Sequence, residues 1–192
     1  MWITARAELV FGPDGKVAAV RHLWSFDPAY SAYAVQGLDT NGDGSTSAEE
    51  LRELASFSTS SLAEFGYFTG LKAGGAKQAL EGPRNEGMTF EAGRLTLRFE
   101  LPLKTPAPSR VLLLEVYDPT FFVEFKAAEE PDAVKLVSAP AGCAVTVTRP
   151  KPAAAAGPLG DGKALSESFF QSLNAASNFG ASFANRAMVA CP

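Results

Sequence analysis

The chain opens on strict alternation. Trp2, Thr4, Arg6 and Glu8 take turns with Ile3, Ala5, Ala7 and Leu9, and a second run, KVAAVRHLWSF, follows the turn residues GPDG. Successive side chains of a strand face opposite sides, so two such runs about Pro-Asp-Gly predict a hairpin. Period two returns further on. YFTGLKA and KQAL flank Gly74-Gly75, and MTFEAGRLTLRFELPL places Leu95, Leu97, Phe99 and Leu101 on one face. VLLLEVYDPTFFVEFKA reads as two strands about Asp118-Pro119, and AVKLVSAPAGCAVTVTR as a further pair about Pro-Ala-Gly. About eight short antiparallel strands at this spacing predict a mainly β domain with some α, a β-sandwich or open barrel.

Helical spacing interrupts the strands in two places. Asp27-Pro28 has the form of an N-cap followed by proline at the first helical position, and Tyr30, Tyr33, Ala34 and Leu38 follow as a stripe. Leu51, Leu54 and Phe57 predict a second helix, broken at residues 58–61 and resuming at Leu62 and Phe65. These helices form an insertion over residues 27–65 of a β-rich domain spanning 1–149. Residues 150–163 are rich in Pro, Ala and Gly and predict a linker. Beyond it Leu165, Phe169, Leu173, Ala176, Phe179 and Phe183 recur at helical spacing, with Ser166 as cap. That stripe predicts a C-terminal helix in a tail, residues 164–192, packed on the body. The other reading is a helix that docks on a protein or membrane partner.

Between the two inserted helices lies the stretch that carries chemistry, DTNGDGSTSAEE. Oxygen-bearing residues stand at its first, third and fifth places (Asp39, Asn41, Asp43), glycine at the sixth (Gly44) and glutamate at the twelfth (Glu50). A hard cation needs six to eight oxygens at roughly 2.3–2.6 Å, and alternate side chains of a tight loop can supply them. The spacing therefore predicts an EF-hand calcium loop, with the Ser45 carbonyl, Ser47 directly or through water, and both Glu50 oxygens completing the shell. Ser47 and Glu50 also have capping-box spacing. Turn chemistry alone explains NGDG but not a carboxylate six residues beyond the glycine. The eighth place is Thr46, where loops that pair with a partner loop are usually apolar, and no second such loop occurs, so the hand is read as solitary.

Composition narrows what the domain does. With 192 residues, 46% of them hydrophobic, the chain can bury a substantial core. Its 17 basic and 21 acidic residues give a net charge of −4 without a basic run, which argues against a nucleic-acid partner. No apolar run approaches the ~20 residues of a membrane span. The opening strand has no basic region followed by a hydrophobic core, so an exported chain is expected to have had its signal peptide removed. The single histidine, His22, reads as a hydrogen-bonded strand residue. With two distant cysteines it cannot complete a zinc site, and neither a nucleophile elbow nor a phosphate-binding loop occurs, so no enzyme is expected. Cys143 and Cys191 read as a disulfide pinning the C-terminus, or as two buried thiols. A disulfide implies a compartment outside the reducing cytoplasm, periplasmic or secreted.

The runs SFDPAYSAYAVQGLDTNGDG, SLAEFGYFTGLKA, LEVYDPTFFVEF, LSESFFQSL and ANRAMVACP resemble a bacterial family of unknown function, domain of unknown function 1007. Members are described as periplasmic components of uncharacterised ABC-type transport systems, some encoded beside nickel or cobalt transporters. Relatives carry a His-Pro-His segment ahead of the position of Trp2, which this chain lacks, so no transition-metal role of those histidines carries over. The resemblance implies a place in metal or solute transport with a membrane transporter component as partner, and with the loop this gives the expectation of an exported, non-enzymatic, calcium-binding accessory. The alternatives are an interaction module docking on a protein or membrane through the C-terminal helix, and a solute or metal receptor, lanthanides included.

Overall fold

A computed structural model describes residues 1–120, 122–150 and 183–192. Trp2–Phe11 (β1) and Val17–Phe26 (β2) form the predicted hairpin, antiparallel from Ile3 opposite Phe26 to Phe11 opposite Val17. The other strands, in chain order, are Thr69–Ala73 (β3), Ala76–Lys77 (β4), Arg84–Glu91 (β5), Arg94–Ala107 (β6), Val111–Val116 (β7), Glu124–Ala127 (β8), Val134–Val137 (β9), Ala144–Thr148 (β10) and Asn185–Ala190 (β11). The first sheet runs β5-β6-β2-β1-β8, with β9 also on β1, and the second runs β10-β11-β7-β3-β4. Neither closes into a barrel.

One core lies between the sheets. Leu9, Val20, Trp24, Leu95, Leu97, Phe99 and Leu101 from the first meet Leu71, Leu112, Leu114 and Val189 from the second. Trp24 sets its edge against Phe99 at 4.8 Å and Phe125 at 5.0 Å, a preferred geometry for aromatic pairs. The turn between β5 and β6 places Ala92 at φ 49° and Gly93 at 73°, the two left-handed residues that a two-residue hairpin with the right twist demands.

Three expectations are corrected. The sheets are not wholly antiparallel, because β8 and β9 both pair with β1 in parallel. The strands either side of Pro-Ala-Gly do not pair with each other: β9 joins the first sheet and β10 the second. ANRAMVA near the C-terminus, read as tail, supplies β11, which fills the gap between β10 and β7. The predicted C-terminal helix and nearly all of the linker lie outside the described residues.

The inserted helices are Pro28–Ala34 (α1) and Arg52–Ser61 (α2), and a 3-10 segment, Leu62–Phe68, follows α2 directly. They connect β2 of one sheet to β3 of the other, so the insertion is the crossover between the two layers. Asp27 fixes its start. One carboxylate oxygen accepts from the Tyr30 amide at 2.9 Å and the other from the Trp2 amide at 3.0 Å. These donors, the Tyr30 amide foremost, hold the Asp27 carboxyl below the usual carboxylate range. The buried Ser31 hydroxyl donates to the Asp27 carbonyl and accepts from the Leu95 amide, which locks α1 onto β6. Two predicted stripe residues face outward instead: Tyr33 is 72% and Phe57 71% exposed, while Leu51, Ala55 and Thr59 turn inward.

Candidate metal site

Helix α1 ends at Ala34 with Val35 as its cap, and two residues further on Gly37, at φ 76°, takes a conformation that other residues avoid. Leu38 then packs on the core, and residues 39–50 run out as a surface loop before Leu51 returns fully buried. The loop is thus pegged at both ends by leucines. All six predicted ligand residues lie in it.

Its first half is shaped by Asp39. One carboxylate oxygen accepts from the Gly42 and Asp43 amides at 2.8 and 3.1 Å, and the other from the Gly44 amide at 2.9 Å. Gathering these amides requires a sharp reversal, and Gly42 and Gly44 provide it at φ 72° and 83°. Asn41 accepts from the Asp43 amide and donates to its carboxylate, whose other oxygen accepts from the Ser45 amide at 2.8 Å. Asp39, Asn41 and Asp43 therefore form one linked set.

The second half belongs to Glu50. One of its oxygens accepts from the amide and hydroxyl of Thr40, at 2.8 and 3.0 Å, and more distantly from the Asn41 amide. The other accepts from the amide and hydroxyl of Ser47, at 2.9 and 2.8 Å. The Glu50 amide in turn donates to the Ser47 hydroxyl, which completes the predicted capping box. These donors, the Ser47 amide first, lower the Glu50 pKa to about 2. The side chain is ionised throughout the physiological range.

Among the described residues, no three His, Cys, Asp or Glu side chains gather closely enough to hold a metal between them. The reason is visible in the bonding. Each carboxylate faces backbone amides rather than a common centre. A carboxylate has about four lone-pair positions, of which Asp39 commits three and Asp43 two, while Glu50 is saturated. The donor set is all oxygen, hard and anionic, which suits calcium, and the first half keeps acceptor capacity for it. Full coordination requires Glu50 to exchange Thr40 and Ser47 for the ion.

His22 is the hydrogen-bonded strand residue expected. It is fully buried, beside the Thr69 hydroxyl at 3.0 Å from Nε2. That hydroxyl donates to the Tyr67 carbonyl, which assigns the ring proton to Nε2 and leaves Nδ1 as a bare lone pair. Burial pushes the His22 pKa down to about 3. Cys143 and Cys191 are bonded, with S–S 2.02 Å and Cα atoms 4.1 Å apart, one step beyond the Ala144 and Ala190 pair of β10 and β11.

Sequence reasoning passed over Thr40, whose amide and hydroxyl anchor Glu50, and Asp118, a buried carboxylate that accepts from Thr120, Phe122 and Val123. Asp118-Pro119-Thr120 was the available signal for the second, since a short carboxylate before a turn caps the amides that follow. Thr40 had none, because threonine at the second place of the loop is chemically unremarked.

A two-sheet β protein with a helix-loop-helix crossover and one oxygen-rich loop is the class these features define. The chain belongs to a protein family of unknown function (DUF1007), whose model matches residues 1–191. No curated protein and no solved structure matches it.

Proposed function

We propose that the protein is an exported, non-enzymatic calcium-binding accessory of a metal or solute transport system, in which the ion has a structural role. The observation that carries this reading is the loop pegged between Leu38 and Leu51, with an EF-hand ligand at every required place. Side-chain oxygens of Asp39, Asn41 and Asp43, the Ser45 carbonyl, Ser47 and both Glu50 oxygens would hold the ion. Bound there, calcium clamps the two ends of the loop in the middle of the crossover and so holds α1 and α2 together. Three carboxylates without a partner loop suit the weak extracellular class, with dissociation constants on the order of 10⁻⁴ to 10⁻³ M.

Export is supported by the Cys143–Cys191 bond, because disulfides persist in oxidising compartments. The transport association rests on the resemblance of the motifs to proteins described as periplasmic transport components. Terbium titration followed by calcium competition tests the ion. Displacement of terbium by millimolar calcium supports the reading, whereas a loop that holds terbium against saturating calcium is a lanthanide site instead.

A further inference from the structure

The 3-10 segment that follows α2 ends in an unusual run. Gly66, Tyr67 and Phe68 stand in succession at φ 56°, 56° and 49°. A glycine adopts this conformation freely, but two aromatic residues with β-carbons do so only when neighbours hold them there. The neighbours are identifiable. Thr69 donates to the Tyr67 carbonyl while bonded to the buried His22, and the Tyr117 amide donates to the Phe68 carbonyl. Phe68 is buried, and Phe65, a residue 47% exposed, stacks on it at 5.3 Å.

Two adjoining grooves border this turn. One, of about 350 Å³, is lined by Phe65, Phe68, Lys72, Lys77, Glu115 and Tyr117 among others. The adjoining one, of about 440 Å³, is lined by Tyr67, Gln78, Leu80 and Lys104 and shares Gly66, Thr69 and Lys77 with the first. Both volumes lie in the range of small-molecule sites. The charges are one-sided. Glu115 is neutralised by Lys72 at 3.1 Å and Arg186 at 3.0 Å, whereas Lys77 and Lys104 have no carboxylate partner among the described residues.

We propose that this double groove is a binding site for a small organic anion with a flat apolar part, the ring lying against Phe65 and the charge met by Lys77 and Lys104. Charge complementarity selects the anion, and the half-exposed aromatic face selects a flat apolar body. The site is separate from the calcium loop, and its test does not depend on calcium.

The probe is 2-naphthoate, titrated calorimetrically into the full chain, with naphthalene-2-methanol as the neutral counterpart. One saturable site is expected, with the alcohol and the Lys77→Gln, Lys104→Gln double variant each at least tenfold weaker, and Phe65→Ala weaker by a similar factor. Both lysines are exposed, so the double variant should fold, and an unchanged unfolding midpoint verifies this. Absence of saturable binding overturns the proposal. So does equal affinity for acid and alcohol, which would make the groove an apolar patch only, or undiminished binding by the lysine variant.

Discussion

Nε2 of His22 lies 3.0 Å from the hydroxyl of Thr69, so a strand in the middle of the first sheet is bonded to the first residue of a strand in the second. This contact joins the two layers from inside, and the ring is held neutral by full burial with no partner for Nδ1. The folded protein binds the His22 proton only near pH 3, whereas an unfolded chain binds it near 6.5. The stability this gives is complete above pH 6.5 and is lost as pH falls towards 3, by about 1.4 kcal/mol per unit. Urea unfolding should therefore show a loss of about 2 kcal/mol between pH 7.5 and 5.0. His22→Asn should lower stability at neutral pH and flatten that interval.

The corrected inward face of α2 gives a second expectation. Leu51 is fully buried and Phe57 largely exposed, although both fit a helical stripe. Leu51→Ala should cost about 2–5 kcal/mol through lost burial and a residual cavity, while Phe57→Ala should stay within about 0.5 kcal/mol. Denaturant midpoints of the two variants distinguish them.

The bond between Cys143 and Cys191 closes a long loop and fastens β10 to β11 at their ends. Replacing both cysteines by serine should lower stability by about 2–4 kcal/mol, chiefly by freeing the unfolded chain. The reduced wild type should unfold at nearly the same urea concentration as the double variant.

What the residues reveal in advance depends on how local the cause is. Leu95, Leu97, Phe99 and Leu101 were legible because one buried face writes itself at period two, and the capping box because Ser47 and Glu50 are neighbours on one turn. The parallel placement of β8 and β9 on β1 was not, because nothing within Glu124–Ala127 or Val134–Val137 specifies a partner more than a hundred residues away. β11 was hidden for another reason. NRAMVA is short, mixes Arg and Met into its outward face, and follows a stronger helical stripe. The proposed calcium ligands are contiguous, so that expectation rests on one stretch of sequence. The groove is assembled from the 3-10 segment, β3, β4, β6 and β7, so no stretch of sequence announces it.

If calcium clamps the crossover, stability must depend on its concentration. At ten times the dissociation constant the ion should add about 1.4 kcal/mol, or roughly 3–6 °C in melting temperature for a chain of this size. A chelator should remove the increment, and magnesium, which demands a tighter octahedral shell, should not restore it.

Calorimetric titration of calcium into wild type and Glu50→Gln tests the central claim most directly. Wild type should give one site with a dissociation constant on the order of 10⁻⁴ to 10⁻³ M, and Glu50→Gln, which keeps the shape but removes the bidentate carboxylate, should give no saturable heat in that range. Equal isotherms for the two proteins would contradict the assignment of residues 39–50 as a calcium site.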